Sequence, residues 1–483
     1  MFLALRIRLL ASGLLLLLAG AGCQKKGEEV PPTPGPPVVV PPVGPSQVAA
    51  WVTNTDRSSQ FARLRTALNF TAATNTSPTI LVDTVQTYQG IDGFGFALTG
   101  GSATVINRMS VRSRADLLRE LFATDSTCIG VSYLRLSIGA SDLSDRVFTY
   151  DDVAGDVSLA QFNLAPDRTD LIPVLKQILA INPGIKILGS PWTAPAWMKT
   201  NNAAIGGSLK PEFYDAYARY FVKYIRGMAA EGIIIDAVTL QNEPLYGGNE
   251  PSMLMSAAEQ AAFIRNNVGP AFAAAGLLTK IIAYDHNPDR IDYPLAVLDD
   301  IGARPYVDGS AFHNYGGSID NLSKVRDRYP TKNIYFTEFW TQDPGSFVTD
   351  VPGHVRELTI GATRNWSRNV IEWNLANDPA IGPHTPGGCT QCLGAVTVSG
   401  NSVTRNPPYY SVAHASKFVR PGSVRIASNV PTNLPNVAFR TPNGQKVLVV
   451  VNTANAPQNF NIQFKGKIVT TLLYSGSVGT YVW

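Results

Sequence analysis

The chain is poor in charge, cysteine and histidine for its length. Charged residues make up 16% of its 483 positions, against about 25% in an average soluble domain. No segment gathers the 40 basic residues onto one face, which argues against nucleic acid as a partner, since that role needs a basic patch. Hydrophobic residues still make up 45% of the chain, enough to bury a large core and exclude wholesale disorder.

Several motifs of common enzyme classes are missing. The sequence has no Gly-x4-Gly-Lys-Ser/Thr phosphate loop, no Gly-x-Ser-x-Gly nucleophile turn and no His-Glu-x-x-His metal motif. The run nearest to a dinucleotide fingerprint begins at Gly93 and has Leu98 where the third glycine belongs. We therefore expect chemistry that needs no metal, nucleotide or other cofactor.

The first residues are typical of a targeting signal rather than of a fold. Arg6 and Arg8 precede a short apolar run, small residues follow it, and Cys23 comes next, which is the order of a secretory signal over 1–22. The run is shorter than the about 20 apolar residues that span a bilayer. The small residues before Cys23 resemble a bacterial lipoprotein cleavage site. We expect a lipid on Cys23 as the only membrane contact, with plain secretion as the alternative.

Residues 23–46 have the composition of a tether. Eight of the fifteen residues from 31 to 45 are proline, which favours an extended polyproline II chain over helix or sheet. We expect an exported protein held at the bacterial outer membrane or cell surface, or else released into the periplasm or the medium.

Three further cysteines lie in the expected folded part. Cys128 is isolated, as a buried core thiol would be. Cys389 and Cys392 are separated by two residues in a chain with an export signal, which favours a disulfide over free thiols. A thioredoxin-like redox pair is disfavoured because glycines precede it and no helix of a βαβ unit follows.

From residue 90 to 420, short β-rich runs alternate with longer amphipathic runs. Between the strands lie helical patterns such as Pro211–Glu231, where aromatic residues recur at three- and four-residue spacings. The eight strand-like runs are Ile91–Thr99, Ser132–Ile138, Ile185–Gly189, Ala237–Gln241, Ile281–Asp285, Gly309–Phe312, Ile334–Thr337 and Asn369–Trp373. Eight alternations predict an α/β fold of the (β/α)8, or TIM, barrel type. A doubly wound sheet is the alternative.

After residue 420 the pattern changes to short strands separated by turns. Lys446–Asn452 and Ile468–Tyr474 are examples. The segment 421–483 is short for an independent domain, and 47–89 contains another β-like run, Thr79–Val85. We therefore predict a β-sandwich attached to the barrel, formed by the C-terminal strands together with N-terminal strands from 47–89.

Two glutamates follow predicted barrel strands, at the rim where barrels of this kind carry their active sites. Glu243 comes after the fourth strand and Glu338 after the seventh. Two carboxylates across one cavity can hydrolyse a glycoside, since one attacks the anomeric carbon while the other protonates the leaving oxygen. Because neighbouring carboxylates resist ionising together, we expect a raised pKa at Glu243.

Several runs in the right order resemble glycoside hydrolase family 30, over roughly residues 80–483. The matching runs are Leu134–Asp142, Gly189–Asn201, Ala237–Pro244, Trp373–Ala376, His414–Phe418 and Thr480–Trp483. The resemblance implies a (β/α)8 barrel with a β-sandwich, Glu243 as acid/base and Glu338 as nucleophile. The same rim is expected to bind the sugar. The residues expected to do so are Arg135, Asp142, Trp192, Asn242, His313, Tyr315, Trp340, Trp373 and His384.

The loop after the eighth strand bears on the substrate. The glucosylceramide-cleaving branch of the family has Gly-Gly-Pro-Asn there, whereas this chain has Ile381-Gly-Pro-His384 and then the pair Cys389 and Cys392. This loop is more similar to the microbial β-1,6-glucanase branch, so we expect an endo-β-1,6-glucanase acting on exogenous glucan. The alternatives are a glucosylceramidase-type β-glucosidase, a xylan-active enzyme and a non-catalytic glycan-binding protein, the last disfavoured because both glutamates are present.

Overall fold

The computed structural model describes residues 47–125 and 127–483. The predicted signal, the lipid site at Cys23 and the proline-rich tether lie outside these residues and stay predictions. In the part of the chain that is described, none of the helices combines the length and the apolar character needed to cross a bilayer.

Eight parallel strands close into a barrel, and each falls on one of the runs predicted from the sequence. Every strand pairs with the next along the chain, and the eighth closes the ring between the seventh and the first. In chain order the barrel strands are Gly93–Ala97, Tyr133–Ser137, Lys186–Ser190, Ala237–Thr239, Lys280–His286, Val307–His313, Asn333–Glu338 and Ser367–Asn374. The predicted barrel is confirmed.

Helices connect these strands and cover the outside of the barrel. The α-helices are Gly100–Asn107, Val111–Phe122, Leu171–Ile181, Tyr214–Ala230, Ala257–Phe263, Gly269–Ala274, Asp292–Asp299, Asn321–Arg328, Asp350–His354 and Pro407–Ser416, with π-helical segments at Ile264–Val268 and Val355–Ala362. The predicted helix Pro211–Glu231 begins with a 3₁₀ turn, Pro211–Phe213, where the missing N–H of proline costs nothing.

The interior of the barrel is filled by side chains. One layer across it consists of Tyr133, Leu188, Ala237, Ile282, Ala311, Tyr335 and Ile371, as expected for a packed barrel core. This layer separates the polar side chains at the strand ends, such as Arg135 and Asp285, from those at the strand starts, such as Asp92 and Arg368.

The β-sandwich draws strands from both ends of the chain. In spatial order its nine strands are Ala62–Arg63, Ala49–Thr53, Val478–Val482, Lys446–Val451, Asn436–Arg440, Val424–Ser428, Thr79–Gly90, Gln458–Phe464 and Lys467–Leu473. The N-terminal strand pairs antiparallel with the last one, with Ala49 opposite Val482. The predicted sandwich of N- and C-terminal strands is therefore confirmed.

The central strand Lys446–Val451 is buried on both faces, which explains its continuous apolar sequence. Leu448 and Val450 belong to the sandwich core, whereas Val447 and Val449 pack into the large cluster that surrounds the barrel. Polar contacts also join the two parts, since His414 hydrogen-bonds the hydroxyls of Thr480 and Thr53 at 2.9 and 2.8 Å.

Two small sheets lie among the loops that follow the last two barrel strands. Thr341–Gln342 pairs with Cys392–Leu393, and Ala376–Asn377 pairs with Val396–Ser399, which in turn pairs with Ser402–Arg405. These pairings hold the loop that contains both cysteines against the catalytic end of the barrel.

Candidate active site

A buried arginine lies at the centre of the polar residues. The guanidinium of Arg135 donates to Glu338 at 2.5 Å, to Asp285 at 2.8 Å and to Asn242 at 2.7 Å. Arg135 is fully buried, so its charge needs partners close by. The arginine thus joins the ends of five barrel strands, because a longer hydrogen bond to Ser190 adds the third strand.

Asp285, at the end of the fifth strand, is the partner that sequence reasoning missed. Its carboxylate accepts hydrogen bonds from the hydroxyls of Ser190, Thr239 and Thr337 and from a ring nitrogen of His313, besides Arg135. Burial would raise the pKa of Asp285, but the charge of Arg135 and these hydrogen bonds hold it well below its usual range. The only sequence signal was its position at a strand end.

His313 lies between the two glutamates. Its Nδ1 is 3.1 Å from Glu243 and 3.6 Å from Glu338, and its Nε2 is 3.2 Å from Asp285. Burial would lower the pKa of His313, but the charge of Glu338 and the hydrogen bonds with Asp285 and Glu243 raise it to about 9. The imidazole is therefore positively charged at neutral pH.

The charge of His313 shifts the pKa of Glu243 in the direction opposite to the one expected from the sequence. Burial favours a raised pKa there, but the hydrogen bond and charge of His313 outweigh it and lower the pKa of Glu243, with further help from His286 and Asn249. The raised pKa expected for Glu243 is therefore wrong. The cationic His313 beside Glu243 therefore outweighs the effect of burial on that carboxyl.

The two glutamates lie close enough to act on one sugar. An oxygen of Glu243, an oxygen of Glu338 and a nitrogen of His313 all lie within 4.8 Å of one another. The hydroxyl of Tyr315 donates at 3.0 Å to Oε1 of Glu338, the oxygen that faces His313, and Asn249 donates to Glu243 at 3.0 Å. Asn249 was not predicted, because it lies in an irregular loop six residues after Glu243.

The tryptophans form one wall of the site. Trp192 and Trp373 stack with ring centroids 5.3 Å apart, and Arg135 lies 4.8 Å from the centroid of Trp192. Trp192 is 2% exposed and Trp373 5%, so they close the pocket rather than offering a free face to a sugar. Trp340 is half-buried against the same cluster.

Asp142 lies at the edge of this wall. Burial and the charges of Glu338 and Glu243 raise the pKa of Asp142 to about 7. The hydrogen bond from the backbone N–H of Cys389 acts in the opposite direction and lowers it. A disulfide joins Cys389 to Cys392 in the structure, and Cys128 is free and buried. The ring of His384 hydrogen-bonds the carbonyl of Thr385, next in its own loop, at 2.8 Å, and its predicted contact with sugar stays a prediction.

The backbone at the site is locally strained. Glu243 has a φ of 45°, and Tyr284 and Asp285 have φ values of 75° and 82°. Left-handed conformations at residues other than glycine cost about 1–3 kcal/mol and cluster at functional sites. The backbone N–H of Glu243 donates to the carbonyl of Asp285 at 3.0 Å, so one hydrogen bond joins two of these three strained positions.

Two groups of side chains have ligand-like spacing, but their chemistry does not suit a metal ion. Glu243, His313 and Glu338 converge, yet His313 is a cation that hydrogen-bonds its neighbours. Asp142 converges with Cys389 and Cys392, whose sulfurs are bonded to each other. That the reaction needs neither metal nor cofactor stays a prediction.

Comparison with known proteins covers both parts of the chain. The family model described as the glycosyl hydrolase family 30 TIM-barrel domain matches residues 91–419. The glycosyl hydrolase family 30 beta sandwich domain matches residues 422–481. Both matches are to one family, in the order that the resemblance implied.

Individual relatives agree with this assignment. Endo-1,6-beta-D-glucanase neg1 of Aspergillus fumigatus is 37% identical over 76% of this chain and 79% of its own length. Lysosomal acid glucosylceramidase of Mus musculus is 30% identical over 85% and 84%. The solved structure of the endo-beta1,6-glucanase BT3312 has a TM-score of 0.85 and 35% identity, covering 90% of this chain and 99% of that one. The chain therefore belongs to glycoside hydrolase family 30 and is a glycoside hydrolase.

Proposed function

We propose that this enzyme cleaves β-1,6-linked glucan internally with retention, using Glu338 as nucleophile and Glu243 as acid/base. The observation that carries the assignment of roles is the unequal partners of the two carboxylates. Glu338 is bound by the guanidinium of Arg135, which keeps its proton in proteins and so favours an anionic nucleophile. Glu243 is bound by His313, whose imidazole can exchange a proton.

The spacing of the carboxylates favours retention. Retaining enzymes hold their two carboxyl groups about 5–5.5 Å apart, whereas inverting enzymes need about 6.5–9.5 Å to admit a water. Oxygens of Glu243 and Glu338 lie within 4.8 Å, which supports direct attack by Glu338.

The reaction then has two steps. An oxygen of Glu338 attacks the anomeric carbon, the glycosidic C–O bond breaks, and the leaving oxygen takes a proton from Glu243. Glu243 next removes a proton from water, whose oxygen attacks the same carbon and releases Glu338 from the ester. Tyr315, hydrogen-bonded to Glu338, orients the attacking carboxylate in the first step.

The Glu243–His313 pair supplies the proton that ionised Glu243 lacks. His313 holds a proton with a pKa of about 9 and lies 3.1 Å from the Glu243 oxygen. A sugar that displaces water desolvates Glu243 and favours its neutral form. The proton can then move along this hydrogen bond to Glu243 and on to the leaving oxygen.

The preference for β-1,6-glucan is supported by two observations. The loop with Cys389 and Cys392 resembles the β-1,6-glucanase branch, and two of the relatives described above are named as endo-1,6-glucanases. Glucosylceramide is the competing substrate, because a glucosylceramidase is also among the relatives.

Removing each carboxylate should give a different defect. Glu338→Gln should abolish turnover because no nucleophile remains. Glu243→Ala should lose about 10²–10⁴-fold on β-1,6-glucan, but less on activated aryl glucosides that need no acid. Steady-state kinetics on both substrates test this, with the exposed Glu212→Gln as matched control. Full activity of Glu338→Gln, or equal losses on both substrates for Glu243→Ala, would contradict the roles.

The activity should fall at high pH. Since the pKa of His313 is raised to about 9, the pair carries its extra proton below that pH and loses it above. We expect kcat/KM on β-1,6-glucan to decline above about pH 9, because that parameter reports the free enzyme. His313→Asn should move the decline to lower pH, whereas His384→Asn should not. An unmoved alkaline limb in His313→Asn would show that the histidine does not hold the proton.

Product analysis should identify the substrate. The purified enzyme is incubated separately with β-1,6-glucan, β-1,3-glucan, xylan and detergent-dispersed glucosylceramide, with Glu338→Gln as the inactive control. We expect gentiobiose-type oligomers from the β-1,6-glucan alone, released first as the β-anomer by NMR. Ceramide release would move the enzyme to the glucosylceramidase branch, and an initial α-anomer would overturn retention.

We also propose that the enzyme is exported and anchored by a lipid on Cys23, as the leader pattern suggests. Cys23→Ser should move the protein from the membrane fraction to the soluble fraction of the producing cells, whereas Cys128→Ser should not. Equal membrane association of the Cys23→Ser variant would contradict the anchor.

A further inference from the structure

The loop after the eighth barrel strand is attached to several neighbouring loops. The backbone N–H of Thr385 donates to the carbonyl of Asp142 at 2.9 Å, and the Thr385 hydroxyl donates to the carbonyl of Glu250 at 2.6 Å. Farther along, Asn374 donates to the carbonyl of Cys392 at 3.1 Å. The loop therefore spans from the second strand to the eighth across the open end of the barrel.

The disulfide lies directly beside the candidate sugar site. Both sulfurs and a carboxylate oxygen of Asp142 lie within 4.8 Å of one another. Cys389 and Cys392 also pack against the cluster that contains Trp192 and Trp373. The disulfide is thus in contact with both the carboxylate and the aromatic wall of the site.

Two glycines allow this close approach. A Cβ at Gly388 would lie 2.3 Å from the Asp142 carbonyl oxygen, and one at Gly387, where φ is +79°, would lie 2.3 Å from the Glu250 carboxylate. Glycine there removes the clash but also adds backbone freedom. Something else must hold such a segment in one conformation, and the disulfide that follows directly does so.

We propose that the Cys389–Cys392 disulfide is a positioning element of the sugar subsite, which holds Asp142 in place to bind the glucosyl unit. The proposal rests on the proposed function, in which that unit lies beside Glu338. Binding sites must be held to within about 0.5 Å of their productive geometry. Opening the disulfide removes the covalent restraint beside the Asp142 carboxylate, while Thr385 and the strand pair at Cys392 still attach the loop on either side.

The effect should fall on binding rather than on bond cleavage. Glu338 is held by Arg135 and Tyr315, and Glu243 by His313 and Asn249. These contacts come from barrel strands and from loops other than the one with the disulfide. Opening the disulfide therefore leaves Glu338 and Glu243 in place.

A double-mutant cycle on the full-length enzyme tests the proposal. The proteins are wild type, Cys389→Ser/Cys392→Ser, Asp142→Asn and their combination, with Cys128→Ala as the control. The readouts are KM and kcat on β-1,6-glucan and the Ki of 1-deoxynojirimycin, which needs no leaving group. We expect the cysteine pair variant to raise Ki and KM about tenfold, as for other supporting-shell losses, with kcat within about twofold.

The coupling distinguishes positioning from a general structural role. If the disulfide acts through Asp142, its loss should add little in the Asp142→Asn background. Unchanged Ki and KM, or losses that multiply in the combination, would overturn the proposal. If the cysteine variant does not fold, dithiothreitol treatment of wild type gives the same comparison, since it opens the disulfide to two thiols and is itself oxidised to a cyclic disulfide.

Failure of the proposed function has a separate signature. A wild-type enzyme that leaves β-1,6-glucan intact but binds 1-deoxynojirimycin with the expected coupling would refute the substrate alone. A wild type that cleaves the glucan without any coupling would refute the positioning role alone.

Discussion

The buried charge of Arg135 is the constraint on which the rest of the site depends. A guanidinium enclosed by protein is costly unless it is paired and hydrogen-bonded, and here two carboxylates meet it directly. Asp285 supplies a permanent counter-charge, so Arg135 keeps an anionic partner when Glu338 forms an ester and loses its own charge. His313 then offsets the third carboxylate, Glu243. The reacting groups are therefore held by charges that the barrel itself provides, and Arg135 is the member whose loss would leave both Asp285 and Glu338 without a guanidinium partner.

The barrel can hold such a network because its polar residues lie at strand ends. Arg135, Asp285 and His313 belong to strands whose backbones are fixed by parallel pairing on both sides. The β-sandwich packs against this framework, with Val447 and Val449 in the cluster around the barrel. Preorganisation of this kind matters because positioned charges act on the transition state without having to move.

Much of this arrangement was accessible from sequence, for identifiable reasons. The eight strands could be found because each is a short β-rich run, and Glu243 and Glu338 because they follow such runs. Asp285 lay at the end of a predicted strand, but one carboxylate there says nothing about its partners. The direction of the Glu243 pKa was missed because it depends on a histidine from the sixth strand reaching between two glutamates from the fourth and seventh. That contact comes from the closure of the barrel and leaves no local pattern.

The charge network and the disulfide loop belong to different elements of the molecule. Arg135 and its partners sit on strands, where a substitution disturbs a buried charge and costs about 3–5 kcal/mol when one partner is lost. The segment from Ile381 to Leu393 lies above them and touches the site through Asp142 and the tryptophan wall. None of the hydrogen bonds described above for Arg135, Asp285 and His313 comes from that segment. On the function and the positioning role proposed above, the barrel strands supply the chemistry, and the loop fixed by its own disulfide shapes the subsite that receives the glucosyl unit.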